Sequence, residues 1–399
     1  MKIRMSSPDL STADRAAVNA VVQTPNLSMG PQIKAFEAAF CQLTGAQHAI
    51  GVNSGTAGLH LCVRAAGIGI NDLVLTTPFS FVASTNVILF ENAIPVFVDI
   101  DPATGNIDIH QLSRAVEDLS RGGEAAQRWL PRNLPSVNQG PLNRAKGIIP
   151  VDVFGQPADY DPINQIASHY DLVVIEDSCE ALGGAYKGRT AGTLGNYGVF
   201  AFYPNKQITT GEGGMIITND DQAADFMRAL RNQGRAPGDT WLQHTHLGYN
   251  YRLDEMSAAL GLSQLEHLEE LLQKRAQVAS WYDQHLTNIA EVTPPQIVPA
   301  TTRVSWFVYV IKVDPSIDRD RLAQLLENDG VPVRPYFSPI HLQPYMEKMF
   351  GYQPGDYPVT EDIGKRSLAL PFSGTMKEEE VIYVCERIAD ALISAQKAE

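Results

Sequence analysis

Short apolar runs of strand length alternate with helix-length segments through the first half of this chain, and that alternation leaves few folds open. Residues 49–52, 73–76, 95–98, 146–151 and 172–175 read as strands; 57–66, 81–91 and a stretch near 163–169 read as helices. Strands separated by helices imply βαβ units and a mostly parallel sheet. The runs Gly147-Ile148-Ile149-Pro150-Val151 and Val173-Val174-Ile175 are apolar at every position. A strand needs that character when helices cover both faces of its sheet.

The rhythm breaks at residues 118–145, which hold Gly122, Gly123, Pro131, Pro135, Gly140 and Pro141 together with Arg121, Arg128, Arg132 and Arg144. This reads as a partly irregular insertion, and both a functional loop and a plain surface excursion stay open. Past Asp254, an N-cap type, Met256, Leu260, Leu265, Leu268, Leu272, Ala276 and Ala279 recur at helical spacing. They predict one long helix leading from a large domain into a smaller one. A strand over 306–313 and helices over 319–328 and 378–393 follow, so the second domain is α+β. A chain of 399 residues with 44% hydrophobic content can bury two cores. The expected division is residues 1–255, with the N-terminal segment and the insertion, and residues 256–399.

The formal net charge is −14. No basic footprint for nucleic acid and no polybasic run for a membrane surface is present, so an anionic substrate must be met by local Arg and Lys. Cys41, Cys62, Cys179 and Cys385 form no metal-ligand spacing, so no metal is expected, and scattered thiols suit a reducing cytoplasm. Residues 1–10 carry no signal-peptide pattern. The most apolar stretch, 74–100, is interrupted by Pro78, Glu91, Asn92 and Pro95, which excludes a membrane span.

Four local features gain meaning in combination. Asp177 ends the buried run that begins at Val173, where α/β sheets bind ligands, although an acid there is more often a helix cap. Lys206 follows the apolar run Phe200-Ala201-Phe202 and precedes Thr209-Thr210-Gly211-Glu212-Gly213-Gly214; alone, it reads equally as a solvated loop lysine. Asn53-Ser54-Gly55-Thr56 joins a strand to a helix, where backbone N–H groups can hold a phosphate or merely be capped. Gly248-Tyr249-Asn250-Tyr251-Arg252 precedes the long helical pattern and alone reads as a turn. Together they supply what pyridoxal phosphate (PLP) requires: a phosphate anchor, a carboxylate for the ring nitrogen and an amine for the aldehyde.

In these motifs, with Val151-Asp152-Val153-Phe154-Gly155-Gln156 and Glu176-Asp177-Ser178-Cys179-Glu180-Ala181-Leu182-Gly183 in the same order, the chain resembles the DegT/DnrJ/StrS aminotransferases from about residue 26 to 375. These are fold-type I PLP enzymes that make amino sugars from nucleotide-linked keto-sugars. The resemblance implies a large domain with a mostly parallel sheet between helices and a smaller α+β domain. It implies that Lys206 is the Schiff-base lysine and proton-transfer base and Asp177 the pyridinium partner. Glu180 would lie on the side of the cofactor's 3-hydroxyl, Gly55 and Thr56 would bind phosphate, and Phe81 would stack on the ring. Asn250, and with it Arg252, would reach the phosphate of a neighbouring subunit, which implies a homodimer with shared sites. Arg334 and His341 fall in the region such enzymes place near substrate, though an arginine there equally caps a strand or pairs with an acid. One departure is Ala201, where many members have a serine whose hydroxyl binds the phosphate.

The expected reaction moves an amino group, with L-glutamate as donor, onto the keto-sugar of a nucleotide-sugar in the cytoplasm. Amination of a cyclitol or another ketone, and a PLP-holding regulator without catalysis, are the alternatives. Dehydratases of this group replace the lysine with histidine, so Lys206 speaks against that branch.

Overall fold

The computed structural model describes residues 3–396. Five strands of the large domain follow in order: β1 (His48–Val52), β2 (Leu73–Thr76), β3 (Ile94–Phe97), β4 (Ala145–Ile149) and β5 (Val173–Asp177). After the short strands β6 (Ala185–Tyr186) and β7 (Arg189–Thr190) come β8 (Tyr197–Ala201) and β9 (Gly214–Thr218). A seven-stranded sheet runs in the order β1-β9-β8-β5-β4-β2-β3. From β3 to β8 all neighbours are parallel; β9 alone is inserted antiparallel, between β8 and β1. The expected mostly parallel sheet is present, and β2, β3 and β9 are buried along their whole length.

Register brings the site together. Val52 at the end of β1 and Ala201 at the end of β8 both face Gly214, the first residue of β9. Asp177, at the end of β5, is paired with Val199. The carboxyl ends of β1, β5 and β8 therefore open onto one edge, where such sheets bind ligands.

The helix Gly55–Ala65 starts at that edge, with Ser54 as N-cap, and eight of its residues are buried. Further along the chain come β10 (Val292–Thr293), β11 (Thr301–Arg303), β12 (Tyr309–Val313) and β13 (Ser367–Leu370); β11 pairs antiparallel with β6. β10, β12 and β13 form a three-stranded antiparallel sheet. Its core joins Tyr282, Tyr309, Leu322, Leu326, Phe372 and Ile388.

Three expectations need correction. The long helix predicted past Asp254 is two helices, Glu255–Glu266 and Leu268–Leu286, with non-helical His267 between them (φ −126°, ψ 25°). The first is held by Asp14, which accepts from Ser263 and Gln264; the second turns into the small-domain core. The apolar spacing continues through the break, so the pattern gives no sign of it. The strand predicted from 306 begins at Tyr309. The division at 255 does not separate the cores cleanly: Ile3 packs into the second core, whereas Ile340, Met346, Phe350 and Tyr352 pack into a core of the first domain.

The 118–145 segment is largely structural. Its arginines are spent on carboxylates: Arg121 on Glu117, Arg128 on Asp118, Arg132 on Asp356 and Arg144 on Asp171. Arg132 also donates to the Gly351 carbonyl, and Asn133 N–H to that of Phe350, so the segment buttresses residues 350–356.

Candidate active site

Asp177 is 6% exposed. Its Oδ2 accepts from the Ser84 hydroxyl at 2.6 Å and its Oδ1 from the Cys179 N–H at 3.3 Å. Ser84 lies in the helix Ala83–Phe90 and, while donating to Asp177, can accept from the Ser80 hydroxyl at 3.1 Å. The turn bearing Phe81 is thereby tied to Asp177, and the Phe81 ring is 65% exposed.

Lys206 follows β8 in a tight turn closed by its own N–H on the Tyr203 carbonyl. Its Nζ is 3.5 Å from Glu180 Oε1 and 4.0 Å from the centre of the Phe307 ring. Glu180 takes its second anchor from the Phe154 N–H, at 2.9 Å. Phe154 adopts φ 57°, a left-handed conformation that non-glycine residues rarely hold outside sites that over-determine it. Burial pushes the Glu180 carboxyl up from its ordinary range, and the Lys206 ammonium opposes that push. The Cys179 N–H meets Asp177 and the neighbouring Glu180 meets the Lys206 amine, so the turn 177–180 links the two predicted groups.

The third wall is the start of the helix Gly55–Ala65. The Ser54 hydroxyl is used as the cap, accepting from the Ala57 N–H at 3.0 Å. The Gly55 and Thr56 N–H groups stand in the first turn, where no intrahelical acceptor exists. A Cβ on Gly55 would lie 2.8 Å from both the Ala201 Cβ and the Cys179 Sγ; one on Gly214 would lie 2.8 Å from the Ser54 carbonyl. Only glycine permits this approach of helix, β8 and β9.

Asn250 is exposed, and its carbonyl accepts from the Asn53 side chain at 3.3 Å. On either side of it, the stacked rings of Tyr249 and Tyr251 reach the His60–Glu91 pair. Arg252 pairs by backbone with Val52 and donates to Asn232 at 3.0 Å. Two residues expected near substrate are engaged elsewhere. Arg334 is ion-paired with Glu327 at 2.8 Å, as the alternative reading of it allowed. His341 has no exposed surface and holds Glu361 at 3.0 Å, under the ring of Tyr357. Their pattern in the sequence does not distinguish a ligand contact from these ion pairs.

Ser84, Phe154, Phe307 and Arg275 escape the sequence reading. Ser84 looks like any helical serine, and the left-handed turn at Phe154 has no marker beyond the following glycine. Arg275 did leave a sign: it interrupts the stripe of Leu268, Leu272 and Ala279 at helical spacing.

The residues present fit PLP. First-turn amides at Gly55 and Thr56 suit its phosphate. A buried carboxylate whose own donors are a hydroxyl and an amide suits a protonated ring nitrogen, and a nearly enclosed lysine suits its aldehyde. The buried Asn205 Oδ1, beside Lys206, has no partner and leaves an acceptor free at the same turn. No His, Cys, Asp or Glu cluster among the described residues could hold a metal ion.

Fold and site define a fold-type I enzyme that works with PLP. The profile of the DegT/DnrJ/EryC1/StrS aminotransferase family matches residues 8–389, and the chain belongs to that family. It is 35% identical to a GDP-perosamine synthase from Caulobacter vibrioides, covering 98% of this chain and 99% of that protein. It is 32% identical to the spore coat polysaccharide biosynthesis protein SpsC of Bacillus subtilis, covering 98% and 97%. Among solved structures, Helicobacter pylori PseC, an aminotransferase involved in the biosynthesis of pseudoaminic acid, superposes with a TM-score of 0.87 at 26% identity over 99% of this chain and 100% of that one. The chain is a PLP-dependent sugar aminotransferase.

Proposed function

We propose that this enzyme moves the amino group of L-glutamate onto a keto-sugar carried by a nucleotide, in the cytoplasm, as a homodimer whose sites draw on both subunits. The convergence of Lys206, Glu180 and Asp177 at the sheet edge carries the transaminase chemistry. A relative named for a GDP-linked amino sugar supports the nucleotide. No helix among the described residues is long and apolar enough to cross a membrane.

When bound, PLP supplies an electron sink for the pair left when a C–H bond next to nitrogen breaks. The chain does the rest. Asp177, aimed by Ser84 and the Cys179 N–H, holds a proton on the ring nitrogen. The Lys206 amine takes the proton from the donor carbon and later returns one to the acceptor carbon. Glu180 lies beside that amine and fixes its position. Gly55 and Thr56 hold the phosphate, Phe81 covers the ring face, and Asn250 with Arg252 closes the phosphate end from the neighbouring subunit. Arg334, exposed and bound to Glu327 and the Val333 carbonyl through Nη1, would meet the diphosphate with its other N–H groups.

The test supplies PLP, glutamate and a panel of nucleotide-linked 3-keto- and 4-keto-sugars, and reads 2-oxoglutarate. Release should depend on one of the sugars, and Lys206→Ala and Asp177→Asn should each lower it by about a thousandfold, the scale of a lost proton-transfer group. Sugar-dependent turnover by Lys206→Ala at a rate close to the native one would sink the assignment.

A further inference from the structure

The helix Leu268–Leu286 lays an apolar stripe against the cores, and Arg275 sits on it, 4% exposed. A buried guanidinium is costly unless its charge and donors are answered. Among the described residues no carboxylate pairs with it. Four backbone carbonyls take its N–H groups instead. Nη2 donates to Lys206 O at 2.6 Å and Asn205 O at 3.2 Å; Nη1 donates to Phe307 O at 3.2 Å and Trp306 O at 3.4 Å.

The two segments it joins are those that make the bed of the reactive amine. One carries Lys206, and the other places the Phe307 ring 4.0 Å from Nζ. A planar fork can serve two strands of carbonyls at once; an ammonium cannot. An apolar residue would fill the same space without the cost of a buried charge, so the charge needs an explanation in what it holds.

We infer that Arg275 is a positioning residue for Lys206: it locks the Asn205-Lys206 turn to the Trp306-Phe307 segment and so sets where the lysine amine stands when it meets the cofactor aldehyde. This rests on the reading of Lys206 as the cofactor-bonding residue. Arg275 touches neither substrate nor cofactor in this scheme; it acts through the backbone of its neighbours.

Tyr282 provides the comparison. It is on the same helix, fully buried, and donates to the Pro371 carbonyl at 2.7 Å, away from the Lys206 turn. Apo forms of the native protein, Arg275→Lys, Arg275→Met and Tyr282→Phe are mixed with PLP, reduced with borohydride at intervals, and the adduct at Lys206 is weighed by peptide mass. Thermal unfolding is recorded alongside. Arg275→Met should trap cofactor about tenfold more slowly, the equivalent of one lost charge-assisted hydrogen bond. It should also lower kcat for the glutamate half-reaction with KM nearly unchanged. Arg275→Lys should fall between, and Tyr282→Phe should lose stability yet trap at the native rate. Native-rate trapping by Arg275→Met overturns the inference. If that variant does not fold, Arg275→Lys decides: a trapping rate equal to that of Tyr282→Phe overturns it. Absence of any Lys206 adduct in the native protein defeats the reading of Lys206 itself, and the inference with it.

Discussion

Ala201 stands where many members of the family have a serine, and Gly55 and Thr56 are the phosphate binders in the proposed function. The Ala201 Cβ stands 2.8 Å from where a Gly55 Cβ would be, so a hydroxyl added there lies beside the first turn of the helix Gly55–Ala65. Ala201→Ser should therefore tighten PLP binding to the apo protein by about tenfold, the value of one hydrogen bond to a charged group. Binding of pyridoxal, which lacks the phosphate, should not change. Titration of intrinsic fluorescence with both compounds checks this, and an equal gain for pyridoxal would refute it. Lys206 and Asp177 stand out in the sequence only in combination with the other motifs and through the family resemblance they carry; alone each reads as a cap or a loop residue. Ser84 and Phe307 do not stand out, because their value lies in which side chain they meet across 93 and 101 residues of chain.

At the scale of elements, the ends of β4 and β5 are coupled through Asp152. It has no exposed surface; its Oδ1 accepts from Ala158 N–H and the Tyr160 hydroxyl, and its Oδ2 from the Ser178 hydroxyl. Its own N–H donates to the Asp177 carbonyl. Burial pushes the Asp152 carboxyl up to about 7, against the pull of Ser178. Between the ordinary carboxylate range and that value, the folded chain holds a proton that the unfolded chain has lost. Stability from this group therefore falls as pH rises through that window. Asp152→Asn keeps one acceptor oxygen, can donate to Ser178, and removes the titration. From about pH 5 to about pH 8 the unfolding free energy of the native protein should fall further than that of the variant, by on the order of a few kcal/mol, and its melting temperature should fall further with it. Parallel melting profiles would contradict this.

Most elements were readable. Leu73–Thr76 and Arg319–Asn328 match their predicted bounds, because propensity, spacing and N-cap agree there. The break at His267 was hidden because helical spacing continues through it: Ala258 before the break and Leu268 and Leu272 after it pack in one core, and only later residues such as Val278 and Tyr282 reach the second.

For the whole molecule, the 248–252 segment decides how subunits would share a site. Tyr249 and Tyr251 are anchored inward on His60 and Glu91, which leaves Asn250 between them exposed. If Asn250 serves a neighbour's phosphate, an inactive Lys206→Ala chain and an inactive Asn250→Ala chain should complement each other. Random pairing yields one intact site in each mixed dimer, so about a quarter of native activity should return. Mixed dimers with no recovery would place Asn250 in its own subunit's site.

The order of apolar runs and breakers was enough to determine the sheet-and-helix class, because periodicity and burial are local consequences of side-chain type, and the motifs in their order pointed to the family. Partnership was decided only in three dimensions. The arginines of residues 118–145 and Arg334 meet carboxylates, and Arg275 meets four carbonyls beside Lys206. A guanidinium carries the same charge and donors in every setting, and which acceptors it finds depends on segments that folding alone brings within hydrogen-bond reach.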